Sequence, residues 1–210
     1  MKASLAALAG AFLVIHCPWT LAASSVDLTV TGTITPSACT VIITSGNVVE
    51  LGKVAARDIE QDSMTYLPTA PVDMTVNCEA PTLFALAPQD NRPQMYTPWA
   101  FGFAMMPSGK PMGGYWLDYV DAVADGTKPM RLYSENNGQG WKPASDYDAV
   151  EPRKLTGFGT LLPSPGTVRP YQNLTLSLRL NPFFYPAKQW LQPNEEIPID
   201  GSATFELRYL

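Results

Sequence analysis

Twenty prolines and fifteen glycines are scattered along 210 residues, and that punctuation constrains the fold more than any other feature. A helix interior tolerates neither residue well, and no window carries apolar residues at the i, i+3, i+4, i+7 spacing of a long helix. What survives between the breaks is period-two alternation or short apolar runs, the pattern of strands. These fall at residues 26–34, 40–43, 48–54, 72–76, 83–86, 100–106, 130–133, 174–180 and 203–210. Many short strands with frequent turn signals suit an all-β sandwich. The stretch 107–152, rich in Gly, Pro, Asp and Asn, is expected to be largely loop, with residues 134–140 as its most irregular part. Helix is expected only as single turns, near residues 55–60 and 186–191. There is no internal repeat and no linker, so one domain is expected, and 46% hydrophobic against 16% charged residues is enough to build its core.

The first 23 residues stand apart. Met1-Lys2 precedes an apolar run from Leu5 to Cys17, followed by Leu21-Ala22-Ala23, the arrangement of a secretory signal peptide cut after Ala22 or Ala23. A retained anchor is the alternative, but the run is shorter than the roughly 20 apolar residues that span a bilayer and is broken by His16 and Pro18. Cleavage would remove the single histidine and Cys17. With Lys2 gone, 13 basic residues face 19 acidic ones and the net charge moves from -5 to -6. An acidic chain is a poor tracker of phosphates, so nucleic acid is not expected as a partner. Without histidine, Ser-His-Asp and Cys-His catalysis are excluded. Cys39 and Cys78 remain, and two cysteines in an exported chain read as one disulfide; a metal site would need further ligands. No cofactor is expected.

The two ends of the remaining chain carry the clearest patterns. In an extended strand Val26, Leu28, Val30, Gly32 and Ile34 point one way, while Asp27, Thr29, Thr31 and Thr33 point the other. Gly32 leaves a gap in that apolar face where another group can approach closely. At the far end Ala203, Phe205, Leu207 and Tyr209 alternate with Thr204, Glu206, Arg208 and Leu210. Periodicity alone is equally compatible with the first and last strands of an ordinary closed sandwich, paired with each other.

Three segments, in order, resemble the subunits of chaperone-usher pili and related fimbriae. Leu28-Thr29-Val30-Thr31-Gly32-Thr33-Ile34 with Ala38-Cys39-Thr40-Val41 is similar to the N-terminal extension of pilins running into the first cysteine strand. Val49-Glu50-Leu51-Gly52-Lys53-Val54 is similar to the segment that follows, with Cys78 at a spacing close to the family's. The run from Gly201 to Leu210 resembles the pilin C-terminal strand with its penultimate tyrosine. The middle, residues 79–200, is longer than in typical shaft subunits and carries no assignable motif.

The resemblance implies an immunoglobulin-like β-sandwich lacking its final strand at residues 37–210, behind an N-terminal extension at residues 24–36. It implies a structural, non-enzymatic subunit whose donor strand, Val26, Leu28, Val30, Gly32 and Ile34, fills the groove of a neighbouring subunit. The groove would first be covered by a periplasmic chaperone, paired with Ala203, Phe205, Leu207, Tyr209 and Leu210, whose terminal carboxylate basic chaperone residues would hold. An outer-membrane usher and other fimbrial subunits are the remaining implied partners. The implied location is the periplasm during assembly and a cell-surface fimbrium afterwards.

Two other readings compete. Trp99, Tyr115, Trp116, Tyr119, Trp141 and Tyr147 could form a sugar-stacking platform on a secreted carbohydrate-binding sandwich, with a host glycan as ligand and Trp141 as the best-placed ring. The carboxylates Glu195-Glu196, or Asp118, Asp121 and Asp125, could in principle serve a glycosidase. As loop and strand-end charges they read more simply as solvated groups. Asn173-Leu174-Thr175 matches a glycosylation acceptor but lies inside an expected strand.

Overall fold

The structure is a computed structural model, and it describes residues 29, 31, 38–92, 97–145, 149–162, 166–192 and 196–210. Contacts divide the chain into two units, Met1–Thr35 and Pro36–Leu210. The donor-strand residues Val26, Leu28, Val30, Gly32 and Ile34, together with the expected signal peptide, lie outside the described residues.

The second unit is all-β, with two antiparallel sheets facing each other as a sandwich. Its described residues form twelve strands: β1 (Cys39–Ile43), β2 (Thr65–Tyr66), β3 (Ala70–Thr82), β4 (Phe84–Asp90), β5 (Phe101–Gly102), β6 (Gly113–Ala124), β7 (Met130–Ser134), β8 (Lys142–Pro143), β9 (Leu155–Thr160), β10 (Thr167–Val168), β11 (Tyr171–Phe184) and β12 (Ala203–Tyr209). The first sheet runs β1-β3-β11-β6-β5, with β2 also on β11; the second runs β12-β4-β9-β7-β8, with β10 also on β9. Helix is confined to single 3-10 turns at Ala56–Asp58 and Ala187–Gln189, where the sequence predicts them.

Alternation builds the centre. Val72, Met74 and Val76 of β3 sit opposite Leu178, Leu176 and Leu174 of β11, and all six are buried. Directly opposed apolar pairs of this kind are the unit of sheet stabilisation. Phe84 and Leu86 of β4 close the core from the other sheet, whereas Ala85 and Ala87 point outward and form a small second cluster with Leu155 under Trp141.

Two expectations are corrected here. The stretch 107–152, expected to be largely loop, contains β6, one of the longest strands of the fold, besides β7 at the strand expected for residues 130–133. The expected strand at residues 48–54 is absent: the segment is irregular. Gly52 adopts φ +68 and Gly46 φ +99, left-handed conformations that end an extended run.

The cysteines behave as expected. Cys39 and Cys78 stand directly opposite each other on β1 and β3 and are joined by a disulfide with a Cα separation of 4.0 Å. Glu79 N–H donates to the Ala38 carbonyl at 3.0 Å, which makes the adjacent cysteine pair a non-hydrogen-bonded one, where side chains approach most closely.

Candidate acceptor cleft

The two sheets part along one side, where β1 and β12 are the end strands. Between them lies a cleft of about 920 Å³. One lip is the irregular segment 46–54 and the other is residues 196–203 leading into β12; Val72, Phe103, Tyr115, Leu117, Phe184 and Trp190 line its interior. Val49, Leu51 and Val54 on the first lip, and Ile197, Ile199, Ala203, Phe205 and Leu207 on the second, pack against the core but stay partly exposed. Val48 is 70% exposed. Apolar side chains left partly covered on both sides of a trough are what a missing neighbour would leave.

The backbone of β12 has the same bias. Its register with β4 is unbroken from Ala203↔Asp90 to Tyr209↔Phe84. Leu210 N–H donates to the Leu83 carbonyl at 3.1 Å and Asn91 N–H to the Ser202 carbonyl at 3.0 Å. Hydrogen-bonded positions of an antiparallel pair alternate, so along β12 the even-numbered residues bond to β4. The N–H and C=O groups of Phe205 and Leu207 therefore point the other way. No strand among the described residues pairs with that edge. Alternation also turns the Phe205 and Leu207 side chains to the core, so the same residues present free backbone groups and incompletely covered apolar side chains.

The cleft has a tied end. Cys39 N–H donates to the Tyr209 hydroxyl at 3.1 Å, linking the start of β1 to the end of β12. Across the lips, the fully solvated Lys53 and Glu196 approach within 3.6 Å, a contact worth little. In the interior, Tyr115 is buried, and desolvation, with a smaller push from the Asp90 charge, raises its phenol well above the ordinary range. It stays neutral and acts as an apolar wall.

The expected chaperone-pairing residues Ala203, Phe205, Leu207, Tyr209 and Leu210 thus lie together along one strand beside the cleft. The sequence reading missed the cleft interior: Phe103, Leu117 and Trp190 carry no local signal that they meet there, because they come from segments far apart in the chain.

The competing carboxylates do not converge. Asp118 accepts from Trp116 Nε1 at 2.9 Å, Arg179 at 3.0 Å and Asn181 at 3.0 Å. Asp121 pairs with Lys128 at 2.8 Å, and that bond holds its carboxyl below the usual range. Asp125 accepts the backbone N–H groups of Gln172 at 3.0 Å and Asn173 at 2.8 Å. Each carboxylate has a structural partner of its own. Glu195 and Tyr147 lie outside the described residues. Of the aromatic residues two meet, Trp99 and Trp116, edge-on at 5.9 Å, whereas Tyr119 lies under the Arg131 guanidinium at 4.8 Å. Trp141 is not an exposed platform. It covers Gly157, where an added Cβ would meet its ring at 2.7 Å. Asn173 is exposed on β11.

No group of three or more metal-ligating side chains occurs among the described residues, and no helix among them is long and apolar enough to cross a membrane. The fold and the cleft define the molecule as a two-sheet β-sandwich open along one side. In comparison with known proteins, the family model described as "Protein of unknown function (DUF1120)" matches residues 28–100, a span that includes β1 to β4 and both cysteines. No curated protein matches the chain.

Proposed function

We propose that this chain is a structural fimbrial subunit that completes its sandwich with a strand from another molecule, the donor-strand exchange of chaperone-usher pili. The observation that carries the reading is the open edge of β12 beside the apolar cleft. A sheet edge with free N–H and C=O groups and pockets for alternate side chains is the receptor for strand addition. An extended segment with Val26, Leu28, Val30 and Ile34 on one face supplies the complement. Burial of those four side chains contributes an upper bound of about 6–12 kcal/mol, at roughly 1.5–3 kcal/mol each, before ordering costs.

Until a donor arrives, an apolar trough beside an open edge is an aggregation hazard. The reading therefore includes a periplasmic chaperone on β12, an outer-membrane usher, and export of the chain through its N-terminal segment. Val30→Asp combined with Gly32→Arg tests it. The double variant should fold and bind chaperone normally but be absent from multimers on denaturing gels run without boiling. An undiminished ladder of heat-labile multimers would remove donation by residues 26–34 from the account.

A further inference from the structure

The two lips of the acceptor cleft are held very differently. Residues 200–203 are pinned from several sides. Ala104 N–H donates to the Asp200 carbonyl at 2.7 Å and Asn91 N–H to the Ser202 carbonyl at 3.0 Å. The Arg92 guanidinium grips the Asp200 carboxylate through Nη2 at 2.8 Å and Nε at 3.2 Å, and Phe103 forms a bridge with Gly201. The 46–54 lip has nothing comparable: it belongs to no strand, and none of its N–H or C=O groups bonds to the backbone of a described residue. Val49, Leu51 and Val54, partly buried against the core, hold it down with the solvated Lys53–Glu196 contact. A segment with few apolar contacts and a solvated backbone lies at the low-stability end of a fold.

The ends of that segment are nevertheless anchored. Thr44 N–H donates to the Asp73 carbonyl at 2.7 Å, and Asp73 N–H to Ser45 Oγ at 3.0 Å. On the far side Ile59 is buried, and Ala187 N–H donates to the Glu60 carbonyl at 2.8 Å. Between the anchors stand Gly46 and Gly52, at φ +99 and φ +68, and a Cβ added to either would meet nothing within 4 Å. Space does not require glycine there; the left-handed backbone does. Fixed ends with a few residues that absorb backbone rotation between them are the parts of a hinge.

We propose that residues 46–54 are a flap that covers part of the cleft in the empty molecule and is displaced by an incoming strand, while the lip at 200–203 stays fixed. The flap rests on the strand-accepting role proposed above and adds to it how the site is shielded and opened. Val49, Leu51 and Val54 shield the apolar walls until a strand competes for them, which limits the hazard of an open trough. The absence of ladder bonds keeps the cover displaceable.

Carbodiimide coupling of the full chain, which joins an amine to a carboxylate in contact, tests this. It should link Lys53 to Glu196 and tie the flap down; Glu196→Gln, treated identically, controls for coupling at other lysines. Two probes are followed: a fluorescent peptide with the sequence of residues 24–36, and anilinonaphthalene sulfonate, which reports exposed apolar surface without strand exchange. Coupled wild type should lose uptake of both, and coupled Glu196→Gln should keep it. Alanine at φ +68 disfavours the seated flap by about five- to thirtyfold, so uncoupled Gly52→Ala should take up both probes faster by about that factor. Equal uptake by the two coupled proteins, no Lys53–Glu196 link in a digest, or Gly52→Ala no faster than wild type would each overturn the flap. If the dye obeys these expectations while no variant captures the peptide, the flap stands and donation by residues 26–34 falls.

Discussion

Two neighbouring residues of β12 separate an open sheet edge from a paired one. Glu206 is exposed, at an even position, and its N–H points to β4; Leu207 is partly exposed, and its N–H points to the cleft. Proline deletes the N–H and is accepted in sheets only where that group faces away from a partner strand. Glu206→Pro therefore breaks a ladder bond opposite Ala87, a buried position, and the carbonyl left unpaired costs about 1–3 kcal/mol. At about 2–4 °C per kcal/mol for a domain of this size, the isolated chain should melt about 2–12 °C lower, toward the upper end because the proline ring also disturbs the paired strand. Leu207→Pro leaves the ladder to β4 intact and loses only part of a partly covered side chain, about 1 kcal/mol or about 2–4 °C. In the proposed fibre the order reverses in importance. Leu207→Pro would strand a buried carbonyl of the incoming segment, which costs about 1–3 kcal/mol, equivalent to a joint about 5- to 140-fold weaker. Thermal scanning of the isolated chain and multimer ladders on unboiled gels read the two effects separately. If Leu207→Pro melts near wild type and still gives a wild-type ladder, the outer edge of β12 is not where subunits join.

The remaining predictions concern what holds the open sandwich together. Reduction, or Cys78→Ser, should lower the unfolding free energy by about 3–4 kcal/mol, from the loop-closure entropy of a bridge spanning 39 residues; equal denaturant midpoints with and without reductant would contradict this. The backbone N–H of Gln172, opposed by some desolvation and aided by Asn173, holds the Asp125 carboxyl below the usual carboxylate range. A pKa depressed by folding contributes stability that is present above the unfolded value and is lost as pH falls through the folded one. Asp125→Asn should thus destabilise at neutral pH and flatten the acid limb of the stability curve, and an acid limb as steep as wild type would assign the pH dependence elsewhere.

How much of this was legible in the sequence depended on whether each strand kept its phase. β3, β11 and β12 alternate without interruption over their core-facing stretches, and their centres were found from periodicity. β6 was missed because its phase slips. Leu117 opposes Leu180 and Tyr119 opposes Leu178, but Asp121 opposes Ser177, so Val120 is an extra residue. Inward positions accordingly run 117, 119, 122, 124, and no single period-two template fits them. β9 was hidden by Gly157 and Gly159. The second is needed because a Cβ there would collide with the Thr167 carbonyl, yet glycine in a sequence reads as a break. The lip at 48–54 failed in the opposite direction: its apolar spacing is that of a strand, but Gly52 turns it out of any ladder. The cleft itself had no sequence signature beyond its terminal strand, since its walls are brought together only by the meeting of the two sheets.

The edges of the sandwich differ in a way that bears on how copies could associate. At the far side the first sheet ends in β5, two residues long, and the second in β8, which is Lys142-Pro143. Short strands, lysine and proline are the devices that keep sheet edges from recruiting another chain. At the near side β12 offers seven residues without a proline, beside an apolar trough, and β1 offers five. With the donation proposed for residues 26–34, one open side would bring a segment of one molecule to a different surface of the next. Such contacts are heterologous, and unless their rotation closes a ring they propagate as a filament.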